Sequence, residues 1–437
     1  MRRALILGSV AAVLWLAACD DSSPLVDGTF TDAEWQKLSR HTPLPPPPPA
    51  PTNRFADDPR AAALGQRLWF EKRYSGPIMT GSTEEGGLGT VGDSGMVACA
   101  DCHDPAHWFT DTRSVPNRTS LGTARTKRNS PSIVNAVYYE WGGWGGAHDQ
   151  MWKQAATVIE NRDALNGDRL TFAHVIYDHH RDDFAALFGP IDRGLDAADT
   201  SGRFPPKGKP GDPAWDNMAA GDREIVNAIV ASCGKALEAY ERRIVSGNAP
   251  FDRYVAEEPT ALTESAKRGL KLFIGKAACA TCHEGPTFTD QRFHNTGVSQ
   301  QAPDGGRVDD APRLANAFNG AGPFSDDPIA GQAKLAEAAQ LPVQPGEFRT
   351  KSLRHLTETG PYFHDGSAET LEDVVRFYNR GGGDPGTYPG AKDPMLVPLN
   401  LTDGEVADLV EFLRALTGEP VPSELTRNPA LLAPRSR

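Results

Sequence analysis

Cys99-Ala100-Asp101-Cys102-His103 and Cys279-Ala280-Thr281-Cys282-His283 are the two stretches that decide how this chain folds. In each, two thiols stand at Cys-x-x-Cys spacing and a histidine follows at once. Both sulfurs can then add across the vinyl groups of one haem while the imidazole becomes an axial ligand of its iron. Zinc is the alternative, because paired Cys-x-x-Cys units can build a four-thiolate site. The adjoining histidines, the long separation of the pairs and the export signal at the start of the chain favour two covalent c-type haems. Strand signals are scarce. The expected fold is therefore mostly α: two cytochrome-c-like haem domains with long irregular loops, chiefly from 299 to 346, and little strand.

Working outward, the start reads as an export signal: Arg2 and Arg3, an apolar run from Ala4 to Leu16, then Ala17-Ala18-Cys19 with Asp20 and Asp21 after it. Small residues directly before a cysteine resemble a bacterial lipobox, which makes Cys19 the lipidated first residue of the mature chain. A plain signal peptide with a free Cys19 is the other reading. No second stretch has the length and apolarity to span a bilayer, so the expected place is the periplasmic side of a bacterial membrane, held by lipid at Cys19. Losing Arg2 and Arg3 moves the formal charge of the 437-residue chain from −12 to about −14, which disfavours nucleic acid and suits a basic redox partner. Of six cysteines, one is the anchor and four serve the haem motifs. Cys233 alone remains, on a helical pattern from 222 to 245, and is expected to be a buried, inert thiol.

The domain reading follows: 1–18 signal peptide, 19–57 lipid anchor and proline-rich tether, 58–258 N-terminal haem domain, 259–420 C-terminal haem domain, 421–437 tail. Thr31-Asp32-Ala33-Glu34 has capping-box form and opens a short helix to about 39. The prolines from 43 to 51 predict an extended polyproline spacer. Helices are expected over 61–70, 150–160, 170–187 and 222–245, and from Thr263 through Phe273. A glycine-rich loop from 81 to 95 leads into the first haem motif.

Further residues resemble those of the bacterial di-haem cytochrome c peroxidases and MauG. They are Arg128-Asn129-Ser130-Pro131 through Val134-Asn135-Ala136, then Trp144 and Gln154-Ala155. In the second half they are Phe293-His294-Asn295-Thr296-Gly297-Val298, Thr359-Gly360-Pro361-Tyr362-Phe363-His364-Asp365-Gly366 and Leu371 to Tyr378. These matches run in order from about 58 to 418. The resemblance implies an oxidoreductase that reacts H2O2 at the N-terminal haem, with electrons supplied through the C-terminal haem by a small redox protein, a cytochrome c or a cupredoxin. It also implies a MauG-like alternative, oxidative modification of a partner protein. A non-catalytic di-haem electron-transfer cytochrome is the reading from another class.

Residue by residue, Trp144 matches the tryptophan that relays electrons between the haems, and Gln154 the distal glutamine. His103 and His283 match the proximal ligands. Tyr378 matches the sixth ligand of the second haem, methionine in the peroxidases and tyrosine in MauG; a phenolate favours ferric iron. His355 and His294 compete for that place. Asn129, with backbone carbonyls of Thr359 and Pro361, matches the ligands of a calcium ion. One position departs from the pattern: Ala164 stands where peroxidases carry the glutamate that moves a proton during O–O cleavage, which puts peroxidase turnover in doubt. Glu160, Asp163 and His107 are the polar candidates nearby, and Val158 replaces a proline of the family.

Overall fold

The computed structural model describes residues 25–80, 86–115, 118–300 and 303–431. The signal segment and Cys19 lie outside the described residues, as does part of the glycine-rich loop. Helix α1 (Asp32–Leu38) precedes a first group, α2 (Pro59–Trp69), α3 (Met151–Val158), α4 (Arg169–Phe188) and α5 (Ala220–Glu241). A second group follows: α6 (Pro250–Val255), α7 (Glu264–Ile274), α8 (Pro328–Ala338), α9 (Leu371–Asn379) and α10 (Asp403–Arg414). Among the described residues the sheet consists of β1 (Phe293–His294) antiparallel to β2 (Phe348–Arg349). The mostly α expectation holds.

Each group is built on one close helix crossing. In α2, Ala61, Leu64, Gly65 and Leu68 recur at helical spacing and bury against α5, after Asp58 caps the first turn through Arg60 N. Gly65 is required there: a Cβ would stand 2.0 Å from the Ala236 carbonyl oxygen. In α7, capped by Thr263 onto Ala266 N, Gly269 takes the same part, its would-be Cβ 1.9 Å from the Asp408 carbonyl oxygen of α10. Two separate apolar cores result, one holding Leu68, Phe172 and Leu237, the other Leu270, Phe273 and Phe412. Cys233 is buried in the first core, where burial pushes its thiol up.

The ends of the chain cross over. Phe30 and Leu38 belong to the C-terminal core, and Lys267 of α7 pairs with Asp27 at 2.6 Å. Leu425 belongs to the N-terminal core, where its carbonyl accepts from Tyr240 Oη at 2.5 Å. Leu425, within the stretch read as a tail, thus docks on the far domain. The proline-rich stretch is no free spacer either. The Pro45 carbonyl accepts from Tyr138 Oη at 2.7 Å, and the Pro48 carbonyl from Arg242 at 2.8 Å. Proline cannot donate a backbone hydrogen bond but offers its carbonyl, so an extended proline run can be pinned by neighbouring side chains. Phe251 and Tyr254 of α6 lie in the C-terminal core. The region from 303 to 346 is less irregular than expected: it holds α8, started by Asp327, whose carboxylate accepts from Ala330 N. Its alanine-rich composition hid it, having no marked apolar stripe.

Candidate haem sites

In the N-terminal domain a cavity of about 410 Å³ is walled by Cys99, Cys102 and His103. Gln154, Ala155 and Val158 of α3, with Ala164 from the following loop, line it as well. The His103 Nδ1–H donates to the Pro131 carbonyl at 2.9 Å, which leaves Nε2 with its lone pair for a metal. His283 is held the same way, its Nδ1–H on the Phe288 carbonyl at 2.9 Å. Gln154 packs so tightly on Gly142 that a Cβ there would come within 2.6 Å of Oε1.

Of the polar candidates Glu160, Asp163 and His107, none lines the cavity. Glu160 is turned onto Arg169 at 2.8 Å, Asp163 faces Arg162 at 3.7 Å in an exposed pair, and His107 is exposed and bonded to Asp104 at 2.7 Å. The carboxylates that line the cavity are Glu140 and Asp149, ahead of α3, and on α5 the pair Glu238 and Glu241. Burial first, then Glu238, hold the Glu241 carboxyl up to about 8, so it is protonated at neutral pH. Sequence reasoning missed both, because on a helix they look like ordinary solvated charges.

In the C-terminal domain Tyr378 on α9 is turned toward Cys279 and Cys282, and burial followed by those two thiols pushes its phenol up. The two competing histidines are engaged elsewhere. The His355 ring stacks on Trp108 at 5.0 Å, with Nε2 against Asn135 Nδ2 at 2.9 Å and Nδ1 accepting from Gly418 N at 3.2 Å. His294 donates to Asp393 at 2.7 Å and to Asp290 at 3.0 Å, and hydrogen bonds to Asp290 and then Asp393 raise it to about 9. Cys282, Asp290 and His294 form the one trio of metal-type donors found among the described residues. Both ring nitrogens of His294 are already taken up by Asp393 and Asp290. The two Cys-x-x-Cys pairs do not come together, which removes the four-thiolate zinc alternative.

Between the domains, the Trp144 Nε1–H donates to the Asn129 carbonyl at 2.8 Å, and its carbonyl accepts from Arg349 N at 2.8 Å. Asn129 is buried, yet neither its Oδ1 nor its Nδ2 has a partner. Its amide stands against Gly366, beside Pro361, and its backbone N–H donates to the His364 carbonyl at 2.8 Å. An orphaned buried amide beside a turn rich in carbonyls is what a ligand to a hard cation looks like, so the residues fit calcium.

The two domains also share a repeat. Phe109-Thr110-Asp111 follows the first motif and Phe288-Thr289-Asp290 the second, with Phe109 and Phe288 both in the left-handed region at φ 54° and 53°. Asp111 holds Arg113 at 3.1 Å, and that guanidinium reaches Cys102 Sγ at 3.3 Å. Asp290 holds His294 beside Cys282. Bridges Gly142 to His148 and Tyr362 to Ala368 then lead into α3 and α9, so Gln154 and Tyr378 arrive on corresponding helices. The shared Phe-Thr-Asp was the signal that could have found Arg113 and His294 beforehand.

Two such centres, each with a paired cysteine motif and a histidine fixed through Nδ1, define a di-haem c-type cytochrome. Residues 59–260 match the family described as di-haem cytochrome c peroxidase. The chain is 32% identical over 403 residues to a cytochrome-c peroxidase of Denitromonas iodatirespirans, covering 87% of each chain. It is 29% identical over 377 residues to the methylamine utilization protein MauG of Methylorubrum extorquens, covering 85% of this chain and 82% of that one. A crystal structure of a MauG-like protein associated with microbial copper homeostasis superposes with a TM-score of 0.59 at 25% identity, over 89% of this chain and 98% of that one. This chain belongs to the di-haem cytochrome c peroxidase and MauG family.

Proposed function

We propose that this protein is a peroxide-dependent oxidoreductase in which hydrogen peroxide meets the N-terminal haem. Electrons arrive through the C-terminal haem from a small redox protein, a cytochrome c or a cupredoxin. The observation that carries the reading is the unlike furnishing of the two distal helices: α3 turns Gln154, Ala155 and Val158 to its cavity, whereas α9 turns Tyr378 toward Cys279 and Cys282. When bound, the N-terminal haem supplies an iron with a coordination position left for peroxide.

His103 holds that group through Nε2, with Pro131 fixing the ring, and Gln154 offers an amide that can orient peroxide. Tyr378 and His283 would hold the iron of the second haem. Trp144, packed between Asn129 on one domain and Arg349 on the other, serves as the relay. Asn129 Oδ1 and the carbonyls of Thr359 and Pro361 hold calcium across the same seam. Cys19 anchors the chain by lipid on the periplasmic side.

Ala164 leaves the distal face without the carboxylate that peroxidase turnover uses. That departure, with Tyr378, favours as second reading a MauG-like withdrawal of electrons from residues of a partner protein. The test is optical and EPR spectroscopy of the resting haem-loaded protein, then stoichiometric H2O2. One high-spin and one low-spin ferric signal are expected, with peroxide perturbing the high-spin one. Two low-spin signals indifferent to peroxide, for instance with Met151, which also lines the cavity, would leave only an electron carrier.

A further inference from the structure

The C-terminal domain sends three cations to the wall of the N-terminal cavity: Lys334 of α8, on which Asp149 and Glu140 bear, and the pair Arg349 and Lys351. Arg349 ends β2 and Lys351 lies two residues on, so an extended backbone turns both side chains to one side. Both line the cavity walled by Cys99, Cys102 and His103. The Arg349 guanidinium stands 3.7 Å from the Tyr139 ring centroid, and the Lys351 ammonium 4.3 Å from that of Trp144 and 5.3 Å from that of Tyr139. Neither forms an ion pair among the described residues. Arg128 close by is different: Asp304 and Asp310 both pair with it. The nearest carboxylate to bear on Arg349 is Glu140, and it forms no hydrogen bond to it. Burial, then Arg349 and Arg128, depress the Lys351 ammonium, so the cluster as it stands is short of negative charge. Lys351 also reaches toward both axial histidines: its charge bears on His103, and its backbone lies beside the His283 ring.

We propose that Arg349 and Lys351 form a cross-domain seat for the carboxylates of the group bound at Cys99 and Cys102, the propionates of a haem, and that Lys351 is a positioning residue for the Trp144 relay. This rests on the reading of a haem at that site. A haem attached through its vinyl edge carries its two propionates on the edge away from the cysteines, and a cavity that receives carboxylates needs cations facing it. An ammonium over an indole face stabilises the neutral ring and opposes loss of an electron from it. A propionate that draws on the Lys351 charge relieves that opposition. Loading the N-terminal site therefore prepares Trp144 to conduct and clasps the two domains together.

The test is an equilibrium redox titration of the haem-loaded full chain, following each haem optically in wild type, Lys351→Met, Arg349→Met and Lys351→Arg. Removing either positive charge should shift the ferric-to-ferrous equilibrium of the N-terminal haem about tenfold toward ferric, about 59 mV for one electron. Lys351→Arg should restore the wild-type midpoint, and the C-terminal haem should move less. If Lys351→Met fails to retain haem, Lys351→Gln is measured in its place. An unchanged N-terminal midpoint in both charge-removing variants, with haem content and Tm as in wild type, overturns the proposal. Absence of covalent haem at Cys99 and Cys102 in wild type would instead overturn the functional reading beneath it.

Discussion

The N-terminal and C-terminal domains share a scaffold and diverge in the side chains they turn toward their Cys-x-x-Cys-His motifs. Both cross two helices at a glycine, Gly65 against Ala236 and Gly269 against Asp408, and both fix the motif histidine by an Nδ1 hydrogen bond of 2.9 Å to a carbonyl. They part at two corresponding places. On the distal helix, one domain offers Gln154 and the other Tyr378. Next to the second cysteine, one carboxylate holds Arg113, a permanent cation, and the other His294, a cation only while protonated. One scaffold can thus serve two roles, because the role depends on a few side chains and the scaffold on backbone crossings.

The largest effect should come from removing one covalent site at a time. Cys279→Ser with Cys282→Ser should abolish the low-spin ferric signal and half the covalent haem, while the high-spin signal and its response to peroxide survive. Cys99→Ser with Cys102→Ser should do the reverse, and EPR with haem quantification reads both. If either pair of substitutions erased both signals, the domains would not be separate centres.

A smaller effect is expected at the crossings. Gly65→Val and Gly269→Val each drive a side chain into a backbone oxygen and should cost about 3 kcal/mol, each in its own domain. Calorimetry would show which transition moves. A substitution that shifted both equally would make the two cores a single cooperative unit.

The smallest effect distinguishes the two cations by pH. His294 keeps its proton in the folded chain to about 9, against an ordinary value near 6.5, so the stability it contributes is full below about pH 6 and is lost as pH rises through 9. His294→Gln should lower C-terminal stability by about 2 kcal/mol at pH 6 and by much less at pH 10. Arg113→Gln should cost the same at both, since guanidinium keeps its charge throughout. Denaturant midpoints measured at the two pH values check this, and an equal loss for His294→Gln at both would remove its ion pairs from the explanation.

Much of this contrast was legible in the chain. The motifs and the caps at Thr31 and Thr263 depend on spacing within a few residues, so reading them needed no fold, while Tyr378 was singled out by the resemblance of the stretch from 371 to 378. Glu241, Lys351 and Arg349 were invisible for the opposite reason: isolated charges in helix or strand look solvated until a cavity is seen in front of them. Glu160 and Asp163 misled because nearness in sequence to Ala164 carried no information about direction, and both point to arginines.

Sequence alone determined the two Cys-x-x-Cys-His motifs and the mostly helical class, because each rests on short-range chemistry and periodicity. Only the tertiary structure decided which carboxyls and cations enter the first cavity, that the proline stretch and the end of the chain are docked, and that Asn129 is left unpartnered. Those outcomes depend on burial among groups far apart along the chain, and burial is what turns an ordinary charge or amide into one that must find a partner.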